Sequence, residues 1–307
     1  MSLTIGNIKK WHRMLTGKSA LHVNQDIGKC FSTTEVRGYY NNLTEKVNLQ
    51  PKLLNSENLP VLITHDGMRV SFPVAIFQYG LGAYDLYLMT GEQRYLNKFM
   101  QCVEWALEKQ EPIGAWDNSS FIYPQNPYGA MAQGEGASLL IRAYCQTKKE
   151  KYLEAARKAL NLMLKSIENG GTTIYYQEQA ILLEYTNRKA VLNGWIFALF
   201  GLFDYVILTK EETFYKETLN HSLYTLEKLL PQFSKNYWSM YDLEGRIASP
   251  FYHRLHIALM QALYQLTGHD IFNEYAMKWE KESRNPIKKT IAFIYKAFQK
   301  IMEKDMG

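Results

Sequence analysis

"YDLYLMTGEQRYLNKFM", residues 84–100, decides the fold. Thr90 closes a run that is apolar on nearly every side, and Tyr95, five residues on, opens one in which apolar and charged residues alternate. The same pattern of Thr, four residues and an aromatic returns at Thr147 with Tyr152, Thr209 with Phe214 and Thr267 with Phe272. The threonines stand 57, 62 and 58 residues apart, about the length of two helices and two connections. Each threonine therefore sits in the short turn of a helical hairpin, whose second helix opens at "GEQRYL", "KKEKYL", "KEETFY" or "GHDIFN".

The two helices of a hairpin differ. Residues 74–89 carry only Asp85 as a charge and residues 192–208 only Asp204, whereas their partners, such as 92–109 and 149–167, are laced with Glu, Lys and Arg. A helix apolar all round is buried all round, and one with a charged face lies at the surface. Uncharged first helices and striped second helices predict an inner and an outer ring, a mainly α fold: an incomplete (α/α) toroid of four or more helical hairpins. "LPVLITHDGMRVSF", residues 59–72, alternates around Asp66-Gly67 and predicts a short N-terminal β-hairpin with a two-residue turn. The expected organisation is an N-terminal segment over 1–70, the toroid over 71–285 and a C-terminal amphipathic helix over 286–307. In that helix Ile287, Ile291, Ile294, Phe298 and Ile301 form one stripe, with Lys288, Lys289, Lys296 and Lys300 elsewhere. The stripe is expected to pack on the toroid or on a second subunit, a membrane surface being the alternative.

Composition narrows the class. A chain of 307 residues, 47% hydrophobic, can bury a full core, and a net charge of +5 without long basic runs argues against nucleic acid and for a mild preference for anionic ligands. Cys30, Cys102 and Cys145 are odd in number and far apart, which suits free thiols, the last two buried, and neither disulfides nor a metal site. "MSLTIGNIKKWHRMLTGKSA", residues 1–20, has no continuous apolar core, and no stretch reads as a membrane span. The expected location is cytoplasmic, with peripheral attachment to the inner face of the membrane left open, and a homodimer is compatible.

Long outer-to-inner connections, about 110–131, 168–191 and 234–251, hold most of the loop Trp, Tyr, Gly and Pro, and long loops on one face of a rigid scaffold are where sites are built. "GLGAYD" (80–85) and "GEGASL" (134–139) lack the third glycine and the preceding strand of a dinucleotide fingerprint, so their glycines serve close approach of helices or of a ligand. His253 and His256 are three apart but no third metal ligand follows at zincin spacing, and no nucleophile pattern occurs; no metal and no cofactor are expected. What accumulates is Glu184 and Tyr185 in one loop, Tyr241 and Arg246 in the next, and Tyr252, His253, Arg254 and His256 at its end. Cations beside a phenol favour its phenolate, so such a set suits proton transfer. Tyrosines that only stack on sugar rings or cap the core are the alternative.

"FPVAIFQYGLGAY" (72–84), "YGAMAQGEGASLLIRAY" (128–144), "LLEYTNRKAVLNGWIFALFGLFDY" (182–205), "YWSMYDL" (237–243) and "FYHRLHI" (251–257) together resemble the C-terminal domain of the D-glucuronyl C5-epimerases, in that family's order over about 70–283. The first 70 residues do not resemble the longer N-terminal β domains of animal members, as though this were a trimmed bacterial version. The resemblance implies inversion of C5 of D-glucuronate to L-iduronate within an anionic polysaccharide, without a redox cofactor. It also implies site residues: Tyr252 and Glu184 as the opposed acid/base pair, Tyr185 and Tyr241 supporting them, Asn193, Tyr128 and Gln133 lining the groove, and His253 orienting the neighbouring phenol. Animal members place an arginine after Tyr-Asp-Leu where this chain has Glu244. Either Arg246 holds the substrate carboxylate from a shifted loop, pointing into a cleft bounded by Glu184, Tyr241 and Tyr252, with Arg254 second, or the substrate differs from heparosan. A uronate lyase, an (α/α) glycoside hydrolase with Asp117 or Asp242 as the second carboxyl, and a catalytically silent glycan-binding protein are the rival readings.

Overall fold

The structure, a computed structural model, describes residues 23–49, 54–63, 67–210 and 213–302. The expectations for the N-terminal stretch 1–20 and for Asp66 lie outside these residues. In chain order the elements are α1 (Thr44–Asn48), β1 (Leu62–Ile63), β2 (Arg69–Val70), α2 (Pro73–Thr90), α3 (Gln93–Lys109), α4 (Ala130–Thr147), α5 (Glu150–Met163), β3 (Thr173–Tyr176), β4 (Gln179–Leu182), α6 (Leu192–Thr209), α7 (Thr213–Leu229), α8 (Pro250–Thr267), α9 (Asp270–Arg284) and α10 (Pro286–Met302). Two compact units result: one takes Gly28–Ala190 and Gly194–Leu226, the other Val191–Asn193 and the chain from Glu227 onward.

The threonines that mark the repeat are helix-ending devices. Thr90, Thr147, Thr209 and Thr267 each donate their hydroxyl to the carbonyl four residues back, at 2.8, 2.7, 2.9 and 2.8 Å. Three of these hydroxyls also accept the backbone N–H two residues on, from Glu92, Lys149 and His269. The next residue, Gly91, Lys148, Lys210 or Gly268, takes a left-handed conformation that turns the chain back. α2/α3, α4/α5, α6/α7 and α8/α9 are the hairpins, of the (α/α)-toroid class. In the third hairpin the packing aromatic is Tyr215, 4.5 Å from Tyr205 between ring centres, and Phe214 is exposed.

Burial follows the charge pattern. In the first unit α4 is buried along nearly its whole length, whereas α3 buries only the stripe Phe99, Cys102, Val103, Trp105 and Ala106. α6 has the length and apolarity of a membrane span, which the sequence reading missed, but 78% of it is buried inside the protein, so it is a core helix. α4 and α6 touch at Gly134 and Gly201, where a Cβ on either would collide with the other helix. The thiols are free; Cys102 is buried, while Cys30 and Cys145 are only partly so.

The lone inner charges anchor the segment that precedes them. Arg142 on α4 reaches Asp204 on α6 with both terminal nitrogens, at 2.6 and 3.2 Å. Tyr40 and Ser138 donate hydroxyls to the same carboxylate at 2.7 and 2.6 Å, and Arg142 also donates to the Gly38 carbonyl. Asp85 on α2 accepts the Tyr39 N–H at 2.9 Å. Glu135, fully buried on α4, accepts from Gln78 Nε2 at 2.8 Å.

The β-hairpin exists, with Leu62 paired to Val70 and Ile63 to Arg69. A second hairpin, β3–β4, carries the chain to Glu184.

Breaking the buried pair from one side leaves an uncompensated charge, and Asp204→Asn should cost about 3–5 kcal/mol in urea unfolding. The double variant Arg142→Met/Asp204→Leu should be less destabilised than either Asp204→Asn or Arg142→Met. Burial, and then the Glu184 charge, push the Glu135 carboxyl up to about 8, and burial pushes Asp85 up to about 7. A raised carboxyl pKa means that the native state keeps a proton the unfolded chain releases near 4.5, so stability falls as pH rises through 4.5 to about 8. Glu135→Gln should flatten the fall in melting temperature between pH 5 and about 8; an unchanged slope would contradict the assignment.

Candidate active site

In the first unit the site is built around Glu184. β4 delivers it to a loop where two glycines make room: a Cβ on Gly129 would collide with its carbonyl oxygen, and one on Gly194 with its carboxylate. Ala130 N–H donates to the Leu183 carbonyl at 2.7 Å, fixing the loop against the start of α4. Gly194 lies in the first turn of α6, so the Glu184 carboxylate sits beside the positive end of a helix, which favours its charge. Glu184 is only 7% exposed.

Tyr185 follows, half-buried, its ring edge-on to Tyr123 at 5.5 Å. The Arg188 guanidinium lies over the Tyr123 ring at 5.4 Å, and Arg188 N–H donates to the Tyr185 carbonyl. Sequence reasoning passed over Arg188; its place in the Glu-Tyr loop was the available signal. Tyr128 donates its hydroxyl to Glu111 at 2.6 Å, and burial together with that carboxylate pushes the phenol up to about 12, so it is held neutral. It borders a groove of about 460 Å³, lined also by Gln125, Asn126, Glu168, Gly171 and Thr186. Gln133 does not line it: fully buried, its amide bonds the Trp116 N–H and carbonyl and the Gly129 carbonyl. It is a brace behind the loops.

In the second unit the site residues gather on the loop before α8 and on its first turn. Asp242 organises the turn: its carboxylate accepts the Glu244 and Arg246 N–H groups at 3.0 and 3.1 Å and the Arg246 Nε. Arg246 also lies 3.6 Å from Glu244 and over the Tyr241 ring at 5.5 Å. Two carboxylates therefore flank its guanidinium. Ser249 caps α8 by accepting the Tyr252 N–H, with Pro250 in the first turn. The rings of Tyr241 and Tyr252 meet edge to face at 4.8 Å.

His253 is a core residue. Its Nε2–H donates to the Trp279 carbonyl at 3.0 Å, its Nδ1 accepts from Ser239 N–H at 3.2 Å, and its ring stacks on Trp238 at 3.6 Å. Burial pushes it down to about 3, so it stays neutral. His256 shares the Ser239 hydroxyl and is likewise held neutral by burial. Asn193 is 3% exposed, and its side-chain oxygen has no hydrogen-bond partner among the described residues. Arg254 is exposed on α8.

A D-glucuronyl C5-epimerase of Caenorhabditis elegans is 26% identical over 219 residues, covering 61% of this chain and 35% of its own. An uncharacterized protein of Methanocaldococcus jannaschii is 32% identical over 162 residues, covering 50% of this chain and 51% of its own. The chain thus spans about half or less of the length of these curated relatives. Among solved structures, cellobiose 2-epimerase from Spirochaeta thermophila superposes with a TM-score of 0.52 at 9% identity, over 77% of this chain and 65% of its own, which shows the fold. An unsaturated glucuronyl hydrolase specific for heparin matches with a TM-score of 0.49 at 12% identity, over 80% of this chain and 82% of its own. The family model for the D-glucuronyl C5-epimerase C-terminus matches residues 110–281, more than half the chain, and takes in Glu184, Tyr185, Tyr241 and Tyr252: the chain belongs to that family.

Proposed function

We propose that the protein inverts C5 of D-glucuronate within an anionic polysaccharide, giving L-iduronate. The observation that carries the reading is Glu184, a nearly buried carboxylate shaped into place by Gly129 and Gly194 at a helix start, on a loop that also bears Tyr185 and Arg188. The hydrogen on C5 lies α to the carboxylate. Its removal breaks the C5–H bond, sends the proton to a base and leaves an electron pair that spreads onto the carboxylate oxygens, where a cation lowers the barrier. Return of a proton to the opposite face completes inversion, so two groups are needed. We assign them to Glu184 and Tyr252, which finish the turnover with one proton gained and one lost and reset through solvent.

Arg188 is our choice for the substrate carboxylate, because it shares the Glu184 loop and lies over the Tyr123 ring; Arg246, paired with Asp242, is second. The guanidinium fork suits paired carboxylate oxygens. Tyr185 and Tyr241 support by hydrogen bonding, and the groove beside Tyr128 offers a neutral phenol on which a neighbouring sugar can rest. The reading is tested by incubating the protein with a glucuronate-containing polymer and assaying the hydrolysate for L-iduronate. Ultraviolet absorbance of a new C4–C5 double bond would instead make it a lyase.

Glu184→Gln and Tyr252→Phe should each slow turnover by about 10² or more with the fold intact by circular dichroism. Near-normal turnover in either variant would remove that residue from the chemistry. Arg188→Ala should lower kcat/KM about 10- to 100-fold, the scale of a charge-assisted hydrogen bond, and Arg188→Lys should recover little of it. Arg246→Ala should mainly lower the melting temperature, because buried Asp242 loses its partner. If instead Arg246→Ala abolishes turnover at unchanged stability while Arg188→Ala is silent, Arg246 holds the substrate.

A further inference from the structure

α10 is amphipathic in the inverted sense. Its small and polar residues face the protein: Ala292 is 3% exposed in a cluster with Trp238, Met240, Ile247 and Ala248. Lys288 donates to the Asn236 carbonyl and Lys296 to the Ile247 carbonyl, both at 2.7 Å. Gln299 accepts the Ile247 N–H at 2.9 Å and donates to the Gly245 carbonyl at 2.8 Å. The apolar side chains are left outside: Ile287 is 70% exposed, Ile294 61% and Phe298 57%, with Ile291, Tyr295 and Met302 exposed beside them. From Ile287 to Met302 this face runs roughly 22 Å at 1.5 Å per residue. So long an apolar face on a helix already fastened by its other side marks an interaction surface.

Charge selects the occupant. Between Pro286 and Met302 the helix has lysines at 288, 289, 296 and 300 and no acidic residue. Lys288, which also lies 3.4 Å from Glu282, and Lys296 are used on the inner side, but Lys289 is exposed, and a second copy docking the same face would bring no carboxylate from its own helix to pair it. An anionic lipid surface offers the complementary charge, together with a hydrocarbon boundary for Ile287, Ile294 and Phe298. We propose that the outer face of α10 docks the protein peripherally on an anionic bilayer surface. The helix lies flat on the lipid while its inner side keeps hold of the 236–248 loop that carries Tyr241 and Arg246. The inference is independent of the reaction catalysed.

Co-sedimentation of the full chain with vesicles tests it. Binding is expected to vesicles of phosphatidylcholine with phosphatidylglycerol, to be weak on phosphatidylcholine alone and to fall as salt is raised. Ile294→Glu/Phe298→Glu should lower the bound fraction at least tenfold, with unchanged circular dichroism and melting temperature. Absence of binding to the anionic vesicles, or equal binding by the double variant, would overturn the proposal. So would a wild-type dimer in light scattering that the double variant dissolves, which would give the face to a second copy.

Discussion

The Arg142–Asp204 pair is the constraint on which the first unit depends. Two fully buried charges are tolerable only when nearly every donor and acceptor around them is used, and here Tyr40, Ser138 and the Gly38 carbonyl satisfy all but the Arg142 Nε. The pair joins α4 to α6 and pins residues 38–40 onto both. It thereby fixes the inner helices whose starts lie beside the Glu184 loop: α4 begins one residue after Gly129, and the first turn of α6 contains Gly194. An ion pair that does little for net stability can in this way set the register of the elements around a site. That role is in keeping with its place on helices otherwise almost free of charge.

The site residues depend on different local physics. Glu184 owes its position to absent side chains, since any Cβ on Gly129 or Gly194 would expel it. Tyr252 and Tyr241 owe theirs to a turn organised by one carboxylate, Asp242, and to a helix cap at Ser249. Beneath those tyrosines, His253, His256, Trp238 and Trp279 form a neutral core held together by the Ser239 hydroxyl and by stacking. Imidazoles so deeply buried cannot act as cations near neutral pH, so neither supplies the cation that the proposed chemistry needs.

What could be read from the residues was whatever had a local cause. Thr90, Thr147, Thr209 and Thr267 recur because a hydroxyl that bonds back to its own helix is a local way to end it, and the hairpins follow from that. The lone Asp85 and Asp204 were visible as exceptions in apolar helices, although not as anchors for Tyr39 and Tyr40, whose partners lie 46 and 164 residues away. The partner of Arg246 was not legible because it depends on loop path: Asp242, four residues before it, turns its carboxylate inward and pairs with the guanidinium. Gln133 and His253 sit inside family-like motifs, and a motif does not say which of its members face a ligand and which brace the ones that do. Whether the stripe of α10 packs on the toroid or faces outward was not legible, because helix periodicity gives a face, not its direction.

The central claim is that two side chains transfer protons at C5, one for each face of the sugar. The most direct test is turnover of a glucuronate polymer in heavy water, followed by locating deuterium in the recovered sugars. The account predicts L-iduronate labelled at C5, with no unsaturated sugar and no shortening of the chain. L-iduronate formed without solvent deuterium at C5, or an unsaturated product in place of iduronate, would contradict it.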